Sequence, residues 1–361
     1  MMMHPSKDQA HKAQAVRKVL GSLNKASANV NINKQLVEIL VDELNLRLQN
    51  ETGILKGATI RHSGSAYENL AVDDDADFDL ILQLGEPFVS RNFEITQATE
   101  STRRYFSYNL KKGRGYTKKK DMFCSNKGNL KTEEFRKHIF DRLVELLGTL
   151  SIRDLTIQCQ RKLAAMQLNL HLGNRSKVEV DLVPQIAVCR WDECPGLVPK
   201  SSLPLCLREY IENNERNNSP ILFITPAVLN AHRSSEYTTK SMLSFSLLEK
   251  CFLKKEENIH DMVRLAKLIK DNQRWTEIYG LKSFHLKRMA IKNASSLKTM
   301  TTYDGLMALL GYMKEELTKK GGFIDCFVIE HYIYHGDHSV LFSRSLSEVQ
   351  KWQPEKLENL V

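Results

Sequence analysis

Two short segments constrain this chain more than anything else in it. In DFDLILQL, residues 77–84, apolar Phe78, Leu80, Leu82 and Leu84 alternate with Asp77, Asp79, Ile81 and Gln83. A period of two is that of a β-strand with one buried face. KVEVDLV, residues 177–183, repeats the pattern, with Val178, Val180 and Leu182 facing inward and Glu179, Asp181 and Val183 sharing the opposite face. Strand geometry aims Asp77 and Asp79 in the same direction, about 7 Å apart. Three carboxylates on sheet strands then set what the rest of the chain has to support.

Around these strands the periodicity turns helical. Val37, Leu40, Val41, Leu44 and Leu48 predict a long amphipathic helix over roughly 33–50, laid across the sheet. Residues 1–30 are polar and basic, with only Val16, Val19, Leu20 and Leu23 hinting at one short helix, so they read as a tail. A further helix is expected near 132–148. The run CPGLVPKSSLPLC, 194–206, carries three prolines and reads as a crossing between lobes. Past it, strand signals thin out and helical spacing dominates, as in Met262, Leu265, Ala266, Ile269 and in Leu306, Leu309, Leu310, Met313, Leu317. The predicted class is α+β, with a basic tail or short helix over 1–30, a core lobe over 31–200 and a helical lobe over 201–361.

A hydrophobic fraction of 42% and 26% charged residues are those of an ordinary globular chain, so disorder is not the default expectation. No apolar run reaches the roughly 18 residues of a membrane helix, and the first residues lack the apolar centre of a signal peptide. The seven cysteines are odd in number and scattered, which predicts reduced thiols and a cytoplasmic protein, with the nucleus as a second compartment. The net charge of +9 is not evenly spread: residues 101–140 hold twelve Lys or Arg against three Asp or Glu, which is the whole excess. Interleaved with Tyr105, Phe106, Tyr108 and Tyr116, this block suits a polyanion, since each neutralised phosphate releases counterions. A solvated basic loop at Lys118, Lys119 and Lys120 is the alternative.

The chemistry lies in an ordered set: Ser63-Gly64-Ser65, eleven residues, Asp77-Phe78-Asp79-Leu80, and a later Val180-Asp181-Leu182. Glycine lets backbone N–H groups approach a triphosphate, and the Ser65 hydroxyl helps hold its oxygens. Asp77, Asp79 and Asp181 are an all-oxygen set suited to two Mg²⁺ or Mn²⁺ ions. The reaction such a site supports is in-line displacement at an α-phosphate with pyrophosphate leaving. Singly these parts are ambiguous: the acidic run could be a loop or a calcium site, and Asp181 an N–H acceptor at a strand end. In this order and spacing they match the polymerase-β-like nucleotidyltransferase pattern.

From about residue 33 to near 340 the sequence resembles the cGAS and Mab-21 family of nucleotidyltransferases. SGSAYENLAVDDDADFDLILQL is similar to the family's Gly-Ser loop and metal strand, VEVDLVP to the strand with the third metal ligand, and SMLSFSLLEKCF and HDMVRLAKLIK to the first helices of its second lobe. The resemblance implies that Lys267 contacts substrate phosphates, that Ser283 assists, and that a nucleobase stacks on Phe284. Read from spacing alone, Lys267 is one of a cationic row on a helix and Phe284 an ordinary core residue. Met242 stands where the family places a guanine-reading arginine. Only CFLKKEENIH separates the two helices between which cGAS inserts a zinc ribbon, and Cys251 with His260 cannot close a tetrahedral site, so no structural zinc is expected.

Without that ribbon the chain resembles the cGAS-like receptors of animals. The resemblance then implies a nucleic-acid-activated cyclic dinucleotide synthase of innate immune signalling, using ATP and/or GTP and acting through a STING-like receptor of its product. Double-stranded RNA is the expected activator ahead of DNA, and no membrane partner is expected. Lys250 and Arg264 fall where the family's nucleic-acid face lies, and Lys25 near another such position. The alternatives are a linear 2′-5′ oligonucleotide synthetase and a non-catalytic Mab-21-like nucleotide-binding scaffold.

Overall fold

Val16, Leu23, Val30, Val37 and Leu44 recur at a spacing of seven, and all five are buried. The computed structural model describes residues 6–72, 77–86, 88–97, 105–111, 123–124, 129–162, 164–173, 177–226, 240–335 and 339–361. In it the whole stripe lies on one helix, α1 (Lys7–Gln49), opened by a capping box in which Ser6 and Gln9 bond each other's backbone N–H groups. The basic tail or short helix expected over 1–30 is the first part of this one long helix, from Lys7 onward. Its hydrophobic residues are too sparse to form a helix alone, and they are buried because the end of the chain packs on them. Lys18 pairs with Glu358 at 2.6 Å, His11 with Glu355 at 3.4 Å and Lys12 with Asp304 at 3.3 Å. Leu23 is 2% exposed, so Leu23→Ala is expected to cost about 2–4 kcal/mol, read as a lower denaturant midpoint; an unshifted midpoint would mean that this half of α1 is not docked.

After α1 come β1 (Thr59–Ser63), α2 (Gly64–Tyr67), β2 (Phe78–Gln83), β3 (Phe93–Gln97), β4 (Tyr105–Leu110), α3 (Thr132–Gly148), β5 (Leu155–Arg161), β6 (Met166–Leu172) and β7 (Val178–Val188). There follow α4 (Leu205–Arg216), β8 (Leu222–Pro226), β9 (Lys240–Ser244), α5 (Ser246–Lys255), α6 (Glu257–Asn272), α7 (Trp275–Tyr279), α8 (Ser283–Lys292), α9 (Ala294–Leu297) and α10 (Thr302–Lys320). The small pair β10 (Gly322–Ile324) and β11 (Tyr332–His335) precedes α11 (Ser339–Val349) and α12 (Pro354–Glu358). The helices and strands predicted at 33–50, 77–84, 132–148 and 177–183 all form.

One mixed sheet runs in the order β1-β2-β7-β8-β9-β4-β3, with β6 on the first half of β7 and β5 beyond it. β2 and β7 pair in parallel and their other neighbours antiparallel. β8 and β9 lie past residue 201 yet bond into this sheet, so the sheet spans 59–244 and draws on chain from both sides of the proline-rich crossing. Five-residue strands are too short for alternation to stand out in sequence. Phe78, Leu80, Leu82, Val180 and Leu182 share one hydrophobic cluster with Val37, Leu40 and Leu44 of α1 and Phe135, Ile139 and Leu143 of α3. With that face covered, the polar face of the same strands is left for the site. All seven cysteines are free thiols. Among the described residues no helix is long and apolar enough to cross a membrane.

Candidate active site

Strand register builds the site. β1 sets Ser63 opposite Asp79, and the parallel pairing of β2 with β7 sets Asp79 directly beside Asp181. The same rung continues to Gln167 of β6 and Gln160 of β5. Cross-strand partners share a face, so Ser63, Asp79, Asp181, Gln167 and Gln160 form one polar row over five strands spaced about 4.8 Å apart. The row on the opposite face, Phe78, Val180 and Leu168, is fully buried and apolar.

Gly64 follows β1 with φ +79°. A Cβ there would stand 2.7 Å from Asp79 Cγ and 2.8 Å from its Cβ, and would overlap Oδ2. The position therefore has to be glycine for the sake of the carboxylate packed on it, a requirement independent of any phosphate. The turn continues into α2, closed by Glu68 N–H to Gly64 O at 3.2 Å and Leu70 N–H to Ser65 O at 2.9 Å.

Like charges crowd the face. Burial, then Asp181 and Asp77, push the Asp79 carboxyl up to about 6. Burial also raises Asp181, followed by repulsion from Asp77 and Glu179. Such clusters mark sites that take a cation. Asp181 Oδ1 is buried without a hydrogen-bond partner, and the donors are all carboxylate oxygens, so the set fits hard divalent cations. Among the described residues no three His, Cys, Asp or Glu side chains converge closely enough to chelate one ion.

The family model described as the Mab-21 protein nucleotidyltransferase domain matches residues 66–255, more than half of the chain and a span containing Asp77, Asp79 and Asp181. The chain belongs to the cGAS/Mab-21 family. No curated protein matches it. Membership accounts for the α+β lobe with its mixed sheet and for the helical region that follows, and it identifies the domain as one for nucleotidyl transfer.

The other residues to which the family resemblance gave a role are placed as follows. Lys267 is half-buried on α6, and Ser283 and Phe284 open α8. The Phe284 ring lies 4.0 Å from that of His285. His285 is neutral: Nδ1 accepts from the Lys282 N–H at 2.9 Å, Nε2 donates to Ile333 O at 3.1 Å, and burial pulls its pKa down to about 4. Phe284 and Met242 line one cavity of about 330 Å³ together with Phe106, Phe245, His331 and Tyr332. Met242 belongs to the carboxylate face, since Gln185, four residues beyond Asp181 on β7, donates to Thr225 at 2.8 Å and Thr225 pairs with Met242.

The proposed nucleic-acid contacts divide. Lys25 is exposed on α1 and Lys250 half-buried on α5; Lys118, Lys119 and Lys120 lie outside the described residues. Arg264 corrects the expectation. It is only 6% exposed and donates to Asn24 Oδ1 at 2.5 Å and Ala71 O at 3.4 Å, so it ties elements together inside the protein instead of facing a polyanion. The sequence reading also missed a buried charge group, Glu68, Glu249, Lys287, Arg288 and Asp325. Its trace in the sequence is Lys287-Arg288 set among Leu286, Met289 and Ala290, cations on the apolar part of a helix.

Proposed function

We propose that this protein is a nucleic-acid-activated cyclic dinucleotide synthase, joining ATP and/or GTP with release of pyrophosphate, with double-stranded RNA as its activator and a STING-like receptor for its product. The observation that carries its nucleotidyl-transfer part is the register that sets Asp79 beside Asp181 on adjacent parallel strands, with Gly64 packed against Asp79, and the cyclic product and RNA activator rest on the family resemblance. A scaffold that performs no chemistry has no need to hold several carboxylates on one face at the expense of their mutual repulsion.

Asp77, Asp79 and Asp181 would hold two Mg²⁺ or Mn²⁺ ions. When bound, these ions lower the pKa of the attacking hydroxyl and neutralise charge on the triphosphate. Backbone N–H groups at Gly64-Ser65 and the Ser65 hydroxyl orient the phosphate oxygens, Lys267 and Ser283 hold the polyphosphate, and a base stacks on Phe284. Met242 offers a base no charged donor, so guanine is not selected there by a guanidinium.

Support for a polyanion activator comes from a patch that joins α1 to α5. Lys34 Nζ lies 5.0 Å from the centroid of the Tyr67 ring. Burial lowers the proton affinity of Lys250, Glu68 and Glu38 pull the other way, and repulsion from Lys34 and Lys254 adds to the lowering. Lys250, with Lys34 and Lys254 in electrostatic reach of it, offers cations beside the turn that carries Gly64 and Ser65, which suits a duplex read through its phosphates.

Incubation with NTPs, Mg²⁺ or Mn²⁺ and double-stranded RNA is expected to yield a phosphatase-resistant dinucleotide. A ladder of linear 2′-5′ products would replace the cyclic reading, and no product with any RNA or DNA duplex would overturn synthesis altogether. Lys250→Glu is expected to weaken duplex binding about tenfold and to lower the slope of log affinity against log salt by about 1; an unchanged slope removes Lys250 from the contact.

A further inference from the structure

The segment that follows Gly64-Ser65 is gripped from the helical lobe. His260 Nε2 of α6 lies 2.9 Å from Glu68 O, Arg264 of the same helix donates to Ala71 O at 3.4 Å, and Lys287 of α8 donates to Glu68 Oε2 at 2.9 Å. Three cationic or hydrogen-bonding side chains from two helices thus hold four residues. Glu68 caps the C-terminus of α2, the single turn that begins at Gly64, so fixing Glu68 fixes that turn.

The Lys287 contact continues inward. Lys287 also pairs with Glu249 of α5 at 2.7 Å, Glu249 takes Arg288 at 2.6 Å, and Arg288 reaches Asp325 at 2.6 Å. All five side chains are under a tenth exposed. Arg288 stacks against Phe245 and Phe327, 4.5 Å from each ring centroid, which anchors the far end. A buried ion pair stabilises a fold no better than packed apolar side chains of similar volume, whereas a directional chain of charges fixes position. Lys287 lies within electrostatic reach of Asp79 as well, and acts against the neighbouring carboxylates on it.

Resting on the synthase reading above, we infer that the Glu68–Lys287–Glu249 chain is a positioning latch, by which the helical lobe holds the α2 turn and with it Gly64 and Ser65 against the carboxylates. A shift of α8 relative to the sheet is passed to the nucleotide-binding turn through Lys287. Lys287 acts here through Glu68, as a positioning residue.

Glu68→Gln tests this in the full-length protein, because it keeps the shape of the side chain and leaves Lys287 its second partner, Glu249. The variant is expected to lose about tenfold in kcat, with KM for ATP and GTP changed by no more than about threefold. Amide exchange over residues 64–72 rises about tenfold, while exchange in α8 and α10 stays at the wild-type rate. The Glu68→Gln/Lys287→Met double variant loses no more over 64–72 than the worse single one, because the two residues act as one unit. Unchanged exchange over 64–72, or a rise spread equally over α8 and α10, overturns the latch. If the wild-type protein makes no product, the synthase reading fails while the exchange measurement still decides the latch.

Discussion

Asp79→Asn is expected to abolish nucleotidyl transfer, by about a thousandfold or more, ~4 kcal/mol of transition-state stabilisation, and at the same time to stabilise the metal-free protein. The two effects have one cause. Asp79 is held up to about 6 by burial and by Asp181 and Asp77, above the ~3.9 of an unfolded chain. A carboxyl raised in the native state binds more protons there than when unfolded, so stability falls as pH rises from about 4 through about 6. Above that range the ionised group sits among like charges, and Asn in its place relieves about 1–3 kcal/mol, or roughly 2–4 °C of melting temperature. In chelator the wild-type melting temperature should drop across that pH range and the variant's should drop less, since Asp181 keeps its own raised carboxyl. Added Mn²⁺ should raise the wild-type value by mass action and the variant's far less. A variant that melts lower than wild type in chelator at neutral pH would show that the carboxylate is held by partners and not opposed by neighbours.

Gly64→Ala is expected to cost about 2–4 kcal/mol in denaturant stability, from positive-φ strain and from overpacking against Asp79. Activity falls at least about a hundredfold, because relief of the overlap moves Asp79 off its rung, and a displacement of about 1 Å has that effect. Gly53 is the matched control. It has φ +72° and nothing within 4 Å of an added Cβ, so Gly53→Ala should carry the backbone strain alone, ~1 kcal/mol, with transfer unaffected. Equal losses of activity at the two positions would mean that the Gly64 contact with Asp79 does not matter to the reaction.

The strands that carry the candidate carboxylates were legible in the sequence. Period-two alternation placed Asp79 and Asp181 on the polar face of their strands, and β2 and β7 form where it predicts, with Asp77 one residue before β2. Alternation also located the buried rows beneath them, because the covering helices α1 and α3 declare themselves by 3.6-residue spacing. Each of these signals is local, a property of ten or so consecutive residues, and local steric and solvation rules suffice to read it.

Only the tertiary structure decided the rest. That Asp79 lies beside Asp181 depends on parallel pairing between strands about a hundred residues apart, and no local rule sets that register. The first half of α1 looks like a tail until α12 and α10 cover it. Arg264 looks like a solvent-facing cation until Ala71 O and Asn24 come to it from distant parts of the chain. A charge is buried only where its partners converge, and the sequence does not contain that convergence in any one place. The carboxylates that first marked the chain are therefore a sequence property, and the turn and latch that hold them to their task are properties of the fold.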